Sequence, residues 1–148
     1  MEKIVVATNK KAYHEYNILE QFEAGIQLKG SEVKSIREGK ASLKQSYVLI
    51  RKGEAWLRGS HIASYSHTGY EGHDPVRNRK LLLHKKEIQK INSKLAEKGL
   101  TAIPTRMYIK RGFIKLEFGL AKGKKLYDKR ATKKKRDVER DIKRAMKV

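Results

Sequence analysis

Two pairs of β-rich runs constrain the fold of this chain more than any other feature. Residues 46–59 read SYVLIRKGEAWLRG, and residues 101–121 read TAIPTRMYIKRGFIKLEFGLA. In each segment the two runs meet at a basic residue followed by glycine, Lys52-Gly53 and Arg111-Gly112, and glycine readily adopts the positive φ that a tight turn requires. The sequence therefore predicts two antiparallel hairpins, and the alternation in the second places Lys115 on the face away from its apolar neighbours.

A further strand is predicted from Tyr16 to Leu28. Apolar residues occupy every second position of FEAGIQL, residues 22–28, which is typical of a strand with one buried face. Glu23 is then expected on the opposite, exposed face.

Two helices and a loop are predicted between these strands. In GSEVKSIREG, residues 30–39, Ser31 is a suitable capping residue and Gly39 a suitable end, which indicates a short helix. The polar stretch from Ser60 to Arg79 predicts a long, mobile loop. Residues 81–99 carry apolar residues at helical spacing among lysines, which predicts an amphipathic helix packed on the sheet. The three leucines at its start, residues 81–83, leave two alternatives open: an extended segment that exposes at least one of them, or the first turn of the helix.

The order of these elements favours a mainly β fold with flanking helices. Because strands and helices do not alternate, the sheet should be antiparallel, and closing it into a barrel would hide its edges. We assign residues 1–121 to this body and residues 122–148 to a basic C-terminal tail. The tail has too few apolar residues to fold alone, so we expect it to be disordered when free. Four residues of the tail recur at helical spacing and allow it to become a helix on a partner: Val138, Ile142, Ala145 and Met146.

The charge of the chain predicts a polyanionic partner. Its 148 residues include 36 Lys and Arg against 16 Asp and Glu, a net charge of +20. Lysines cluster beside aromatic rings, as expected of a protein that binds phosphates and stacks on unpaired RNA bases. No apolar run approaches the roughly 20 residues of a membrane-spanning helix, and no signal peptide is evident. We therefore expect an RNA-binding protein that is soluble and cytoplasmic, with no membrane partner, and monomeric when free.

Catalytic and metal-binding signatures are weak. The chain has no cysteine, and it lacks the motifs that combine a nucleophile with a base. The even spacing of His61, His67 and His73 permits a metal site, but such a site also needs neighbouring carboxylates and fixed geometry. A turn at His73-Asp74-Pro75 with a side-chain bond explains this segment more simply. We predict no enzymatic activity, no cofactor and no metal.

Four longer motifs resemble the SsrA-binding protein family. They are NKKAYHEY at residues 9–16, FEAGIQLKGSEVKS at residues 22–35, DPVRNRKLLLHKKE at residues 74–87 and AKGKKLYDKR at residues 121–130. The resemblance implies a closed, six-stranded antiparallel barrel of the oligonucleotide-binding type. It also implies binding to the tRNA-like domain of transfer-messenger RNA and its delivery to stalled ribosomes in trans-translation. The rival hypothesis is a general RNA-binding or ribosomal protein whose charge holds rRNA.

The resemblance also implies particular RNA-binding residues in the body. Glu23 is unusual at a phosphate-binding surface, and two roles stay open for it: accepting a hydrogen bond from a base or a 2′-hydroxyl group, or orienting a lysine. Matching motif positions are Asn9, Glu23, Leu82 and Lys115, and the lysines clustered near aromatic rings at Lys10, Lys11, Lys122, Lys124 and Lys125 complete the predicted site.

For the tail, the resemblance implies contacts with the empty decoding centre and mRNA channel of the ribosome. The residues concerned are Tyr127, Asp128, Lys129 and Arg130. Tyr127 stands where many family members carry histidine, so the ring can still stack on a base but has no protonatable nitrogen.

Overall fold

The computed structural model describes residues 3–64 and 72–123 of the chain, without the side chains of residues 97 and 98. The predicted tail helix lies outside the described residues. His67, one of the histidines, also lies outside them. The same is true of six predicted site residues: Lys124, Lys125, Tyr127, Asp128, Lys129 and Arg130.

The described residues form strands and helices in an order dominated by strands. The strands are β1 (Ile4–Thr8), β2 (Tyr16–Ile26), β3 (Ala41–Ser42), β4 (Tyr47–Arg51), β5 (Glu54–Arg58), β6 (His61–Ile62), β7 (Arg79–Leu82), β8 (Thr101–Lys110) and β9 (Phe113–Gly123). The helices are α1 (Lys10–Glu15), α2 (Gly30–Arg37) and α3 (Lys85–Lys98). None of these helices is both long enough and apolar enough to cross a membrane.

Six strands form a closed ring of antiparallel pairings, in the order β8, β4, β5, β7, β2 and β9, with β9 returning to β8. Strand β1 lies outside the ring and pairs with β8. The joint between β4 and β8 depends on the pair Val48 and Ala102, whereas β9 pairs with β2 and β8 over most of its length. The mainly β fold and its six-stranded closed arrangement are therefore confirmed.

Both predicted hairpins are present, with their turns at the expected residues. Lys52 and Gly53 have φ angles of 53° and 74°, and Arg111 and Gly112 have φ angles of 53° and 79°. Positive φ at both central positions is the geometry that matches the twist of the flanking strands. Each turn therefore carries a basic side chain at its tip.

The core fills the interior of the ring. Strand residues such as Leu57, Met107 and Phe118 are fully buried, and Ile36 of α2 and Ile91 of α3 join them. A bulge interrupts the pairing of β2 with β9 between Ile18 and Glu20. Gly119 lies against this bulge, where an added Cβ would come within 2.5 Å of Cγ2 of Ile18. The lack of a side chain at Gly119 therefore lets β2 pack closely on β9.

Helix α3 begins later than the sequence predicted. Leu81 and Leu82 belong to β7, and the helix starts at Lys85, where Glu87 accepts a hydrogen bond from the backbone N–H of His84 at 3.3 Å. Leu81 is 1% exposed and pairs with strands on both sides of β7. Burial in the ring therefore decides the conformation of this segment, and the extended alternative for the leucines is confirmed.

A buried ion pair fixes β7 against α2. Nε of Arg79 lies 2.6 Å from Oε2 of Glu32, and both side chains are fully buried. Burial alone raises the pKa of Glu32, but hydrogen bonds from Arg77, the backbone N–H of Lys29 and Arg79 outweigh it and hold the pKa below its ordinary value. The other guanidinium nitrogens of Arg79 donate to Ser60 and to backbone carbonyls. The network sets the position of the strand that carries Leu82.

The described ends of the predicted mobile loop are held by specific contacts. His61 and Ile62 form β6 and pair with β3. His73 is 8% exposed, with Nδ1 2.8 Å from Oγ of Ser31 and Nε2 2.9 Å from the carbonyl oxygen of Ile62. The predicted turn is confirmed, since Asp74 accepts a hydrogen bond from the backbone N–H of Val76 at 3.0 Å. Ser31 was wrongly predicted as the helix cap, because the N-cap of α2 is Lys29, two residues earlier, and Ser31 contacts His73 instead.

Candidate nucleic-acid interface

Four residues form one row across the outer face of the ring. Gly25 of β2 pairs with Leu82 of β7 on one side and with Lys115 of β9 on the other. Lys115 in turn pairs with Tyr108 of β8. Since side chains opposite each other in a sheet project to the same face, residues far apart in the sequence meet on one surface.

This row borders a groove of about 750 Å³, which we call the Leu82 groove. Glu23, Leu82 and Lys115 all line it, and the remaining lining side chains are rich in cations. The structure therefore brings together three of the four residues that the motifs singled out. The additional basic residues of the groove are Lys52, Lys80, His84 and Lys85.

Leu82 presents an apolar surface inside this basic groove. Its exposure is 54%, because β7 directs Leu81 into the ring and Leu82 out of it. A Cβ added to Gly25 would lie 3.2 Å from Cβ of Leu82, so the leucine rests over the glycine backbone. An exposed leucine among cations can contact the apolar face of a base or sugar while the cations contact phosphates.

Glu23 is one of three glutamates that line the groove, together with Glu54 and Glu87, and it is held by side chains of β8, the strand beyond β9. The hydroxyl group of Tyr108 donates to Oε2 of Glu23, and Nζ of Lys110 lies 3.4 Å from Oε1. These contacts with Tyr108 and Lys110 lower the pKa of Glu23. Burial and the neighbouring Glu23 carboxylate raise the pKa of Tyr108. At neutral pH the pair is therefore an ionised carboxylate with a neutral phenol as its donor.

The expected orientation of Glu23 is confirmed, since its side chain is exposed on the outer face. Lys115 also lies on this face, with Nζ 6.0 Å from the centre of the Phe113 ring. The contact between Glu23 and Lys110 fits the hypothesis that the carboxylate orients a lysine. Because the carboxylate is partly exposed, it also keeps room to accept a bond from a ligand.

A second carboxylate lies next to Glu23 and is fully engaged by the protein. Glu117 pairs with Glu23 across β2 and β9. Its carboxylate oxygens accept hydrogen bonds from Nε and Nη2 of Arg106 at 3.1 and 3.0 Å, and Oε1 also accepts one from Thr105 at 2.9 Å. Burial raises the pKa of Glu117, but these bonds from Arg106 and Thr105 outweigh it and lower the pKa. Glu117 therefore supports the face, whereas Glu23 remains accessible.

Sequence reasoning missed the residues of β8 that shape this face, Arg106, Tyr108 and Lys110. A signal for Tyr108 was present, because the turn at Arg111-Gly112 fixes the register of the hairpin and places Tyr108 opposite Lys115. The link from Tyr108 to Glu23 had no such signal, since it depends on the pairing of β2 with β9.

Asn9 lies outside the Leu82 groove and is 7% exposed. Its side-chain amide donates to the carbonyl oxygen of Pro104 at 2.9 Å, and its backbone N–H donates to that of Thr105 at 2.7 Å. These bonds attach the start of α1 to β8. Lys10 and Lys11 follow on α1 and are exposed. Asn9 therefore positions the cations of α1, and its predicted contact with RNA stays a prediction.

Lys122 lies near the end of β9 and is exposed. It pairs with Asn17 of β2, and seven residues of extended chain, about 24 Å, separate it from Lys115. The predicted residues thus form two groups, one in the Leu82 groove and one near α1 and the end of β9. Among residues 3–64 and 72–123, no group of three or more His, Cys, Asp or Glu residues is arranged to hold a metal ion.

The ring and its basic outer face define a small β protein with a groove suited to nucleic acid. The sequence model of the family described as SmpB protein matches residues 6–148, and the chain belongs to this family.

The chain is similar to curated relatives over nearly its whole length. It is 56% identical to the SsrA-binding protein of Sulfurihydrogenibium sp. (strain YO3AOP1) over 147 residues, which cover 99% of this chain and 97% of the relative. It is 55% identical to the SsrA-binding protein of Geotalea uraniireducens (strain Rf4), with the same coverage of the two chains.

A solved structure resembles the fold. It is described as "tmRNA-SmpB: a journey to the center of the bacterial ribosome", and the match covers 80% of this chain and 84% of that chain. The TM-score is 0.66 and the sequence identity 47%.

Proposed function

We propose that this chain binds the tRNA-like domain of transfer-messenger RNA through the Leu82 groove and delivers it to stalled ribosomes for trans-translation. The observation that carries the proposal is the convergence of Glu23, Leu82 and Lys115 in one groove. Membership of the SmpB family and the names of the similar proteins support the choice of RNA.

The chemistry of the groove assigns a different task to each residue. Lys115 and the neighbouring lysines bind phosphates, which supplies affinity that depends on salt but little on sequence. Leu82 packs on the face of a base or on a ribose. Glu23 repels phosphate, so its contribution is selectivity, because its carboxylate accepts a bond only from a donor such as a base amino group or a 2′-hydroxyl group.

The tail completes the proposal. Tyr127, Asp128, Lys129 and Arg130 would occupy the empty decoding centre, and the segment beyond them would become helical where the mRNA channel neutralises its charge. The support is the sequence resemblance at residues 121–130 and the helical spacing at residues 138–146. Deletion after Ala121 is expected to abolish peptide tagging on ribosomes while reducing RNA affinity only modestly. Unimpaired tagging by the truncated protein would refute this role.

Competition separates specific recognition from general cationic RNA binding. The experiment measures binding of the full chain to the isolated tRNA-like domain at near-physiological salt, with excess bulk tRNA. Glu23→Ala is compared with Glu38→Ala, which removes the same charge at an exposed position of α2's C-terminal end. Tight binding that resists bulk tRNA, weakens with Glu23→Ala and survives Glu38→Ala supports the proposal. Binding that bulk tRNA displaces, and that both variants leave unchanged, would identify a general RNA binder.

A further inference from the structure

The outer face of the hairpin formed by β4 and β5 carries the chain's single tryptophan, Trp56. Trp56 pairs with Leu49 of β4 on one side and with Lys80 of β7 on the other. It is half-buried and lines a recess of about 280 Å³, which we call the Trp56 recess. The proposed function assigns no role to Trp56 or to the two arginines beside it, Arg51 and Arg58.

Three cations whose side chains have no partner among the described residues lie beside the tryptophan. Arg51, Lys52 and Arg58 line the Trp56 recess and are exposed. None of their side chains makes a hydrogen bond or an ion pair with residues 3–64 or 72–123, and the indole N–H has no acceptor there either. The one carboxylate lining the recess, Glu54, is neutralised by Nζ of Lys80 at 3.3 Å. The recess therefore has a net positive charge that the described protein does not compensate.

An aromatic ring flanked by uncompensated cations suits an unpaired nucleotide. Base stacking on an aromatic side chain tolerates any base, because every base has a π-face, and the flanking cations hold the phosphates on either side. The strand register supplies this flanking geometry, since Arg58 lies two residues beyond Trp56 on the same face of β5. Arg51 lies on the other side, two residues beyond Leu49, the partner of Trp56 in β4.

The Trp56 recess is continuous with the Leu82 groove. Lys52 and Glu54 line both, and Lys80, which pairs with Trp56, precedes Leu82 by two residues on β7. Trp56 and Leu82 lie on adjacent strands and are offset by two residues along the strand direction, which places them about 8 Å apart. An RNA strand that crosses Leu82 can therefore continue to Trp56.

We propose that Trp56 stacks on an unpaired base of the same RNA that occupies the Leu82 groove, with Arg51 and Arg58 on the flanking phosphates. The proposal rests on the proposed function and extends its binding site around the ring by two strands, from β7 to β5 and β4. It commits to one occupant, the tRNA-like RNA.

The single tryptophan makes this proposal directly measurable. The full chain is titrated with the tRNA-like domain, and Trp56 emission is followed together with the anisotropy of labelled RNA, with free tryptophan amide as the inner-filter control. We expect quenching to saturate together with the anisotropy. Trp56→Leu should weaken binding by about tenfold and Trp56→Phe by much less, since loss of one stacked base is worth roughly 1 to 3 kcal/mol.

The arginines are tested by their effect on the salt dependence of binding. Replacement of both Arg51 and Arg58 by glutamine should lower the slope of log affinity against log salt by about 0.7 for each single-strand phosphate that is no longer neutralised. Arg37→Gln, at an exposed position in the last turn of α2, removes a charge away from both surfaces and should leave affinity nearly unchanged. Thermal unfolding of each variant checks that the fold is retained.

The outcomes separate this inference from the proposed function. If RNA binds in a Glu23-dependent manner while Trp56 emission and the affinity of Trp56→Leu do not change, the stacking site is wrong and the proposed function stands. If no binding resists bulk tRNA, the proposed function itself is wrong. If small ribosomal subunits quench Trp56 but the tRNA-like domain does not, the occupant is rRNA and the proposal of one continuous RNA is overturned.

Discussion

Tyr108 donates its hydroxyl hydrogen to the carboxylate of Glu23, across 85 residues of sequence. The bond joins the last hairpin to the first strand of the ring, on the face that carries Leu82 and Lys115. The phenol is buried and the carboxylate is exposed. The contact therefore holds the Glu23 carboxylate in position and leaves it accessible as a hydrogen-bond acceptor. Selectivity in the groove should therefore depend on Tyr108 as well as on Glu23.

Tyr108→Phe is expected to remove the hydrogen bond to the Glu23 carboxylate while keeping the aromatic side chain in place. The pKa of Glu23 should rise towards its ordinary value, because the hydroxyl bond is the main cause of its depression. The free energy of unfolding should fall by about 1 kcal/mol. NMR titration of the Glu23 carboxyl carbon measures the first effect, and Tyr47→Phe is the control. An unchanged Glu23 pKa in Tyr108→Phe would contradict this role of the hydroxyl group.

Glu32→Gln should be among the most destabilising single substitutions in the body. It leaves Arg79 buried without its carboxylate partner, and breaking a buried ion pair in this way costs about 3 to 5 kcal/mol. Urea unfolding measures the decrease in stability. Glu38→Gln, at an exposed site, should change stability by no more than about 0.5 kcal/mol. A similar small effect for both variants would mean that the buried pair contributes little.

Stability should fall as the solution becomes acidic. The pKa values of Glu32 and Glu117 are lower in the folded protein than their ordinary value of 4.5, so the unfolded chain takes up protons first as the pH decreases. The stabilisation is therefore complete well above pH 4.5 and is lost as the pH falls through that value towards the folded pKa values. Urea unfolding at a series of pH values tests this expectation. Constant stability down to pH 3 would contradict it.

Leu82→Ala is expected to weaken RNA binding without weakening the fold. The side chain is 54% exposed, and its contact is with ligand according to the proposed function. Affinity for the tRNA-like domain should fall by about five- to thirtyfold, equivalent to 1 to 2 kcal/mol. Val76→Ala is a matched control, because Val76 is an exposed apolar residue of similar accessibility, 56%. An equal decrease of affinity in the two variants would show that Leu82 has no special contact.

Gly119→Ala should disturb the pairing of β2 with β9. The added Cβ would meet Cγ2 of Ile18 at 2.5 Å and the carbonyl oxygen of Glu20 at 3.2 Å, and overpacking of this kind costs about 1 to 3 kcal/mol. Gly123→Ala is the control, since its nearest neighbour would lie at 3.7 Å. Thermal unfolding compares the two. Adding Ile18→Ala to Gly119→Ala should recover part of the stability, and the absence of any recovery would point to the backbone contact.

The sequence predicted those features that depend on local period and turn chemistry. The hairpin turns and the outward positions of Glu23 and Lys115 follow from alternation, and both were confirmed. The start of α3 was wrong because Leu81 is held in β7 by burial between two distant strands. Strand β1 and helix α1 were not predicted, since each is short and depends on β8 for its position.

The residues of the candidate site could be predicted from the sequence, but their meeting on one surface could not. The motifs named Glu23, Leu82 and Lys115, and their meeting on either side of Gly25 depends on the registers of β2 with β7 and β9. No local pattern encodes those registers. Trp56 received no functional assignment from its sequence context, because the cations that lack a partner within residues 3–64 and 72–123 come together around it only once the strands are paired.

The short pairing between β4 and β8 determines where the ring of strands can open. Since the pair Val48 and Ala102 closes it, separation at this joint would unroll the ring into an open sheet. The long pairings of β9 would stay intact, and Glu23, Lys115 and Tyr108 would keep their arrangement. Trp56 would stay beside Leu82, because β5 would remain paired with β7. Partial opening, measurable as faster amide hydrogen exchange in β4 than in β9, would therefore flatten the outer face without separating Trp56 from Leu82.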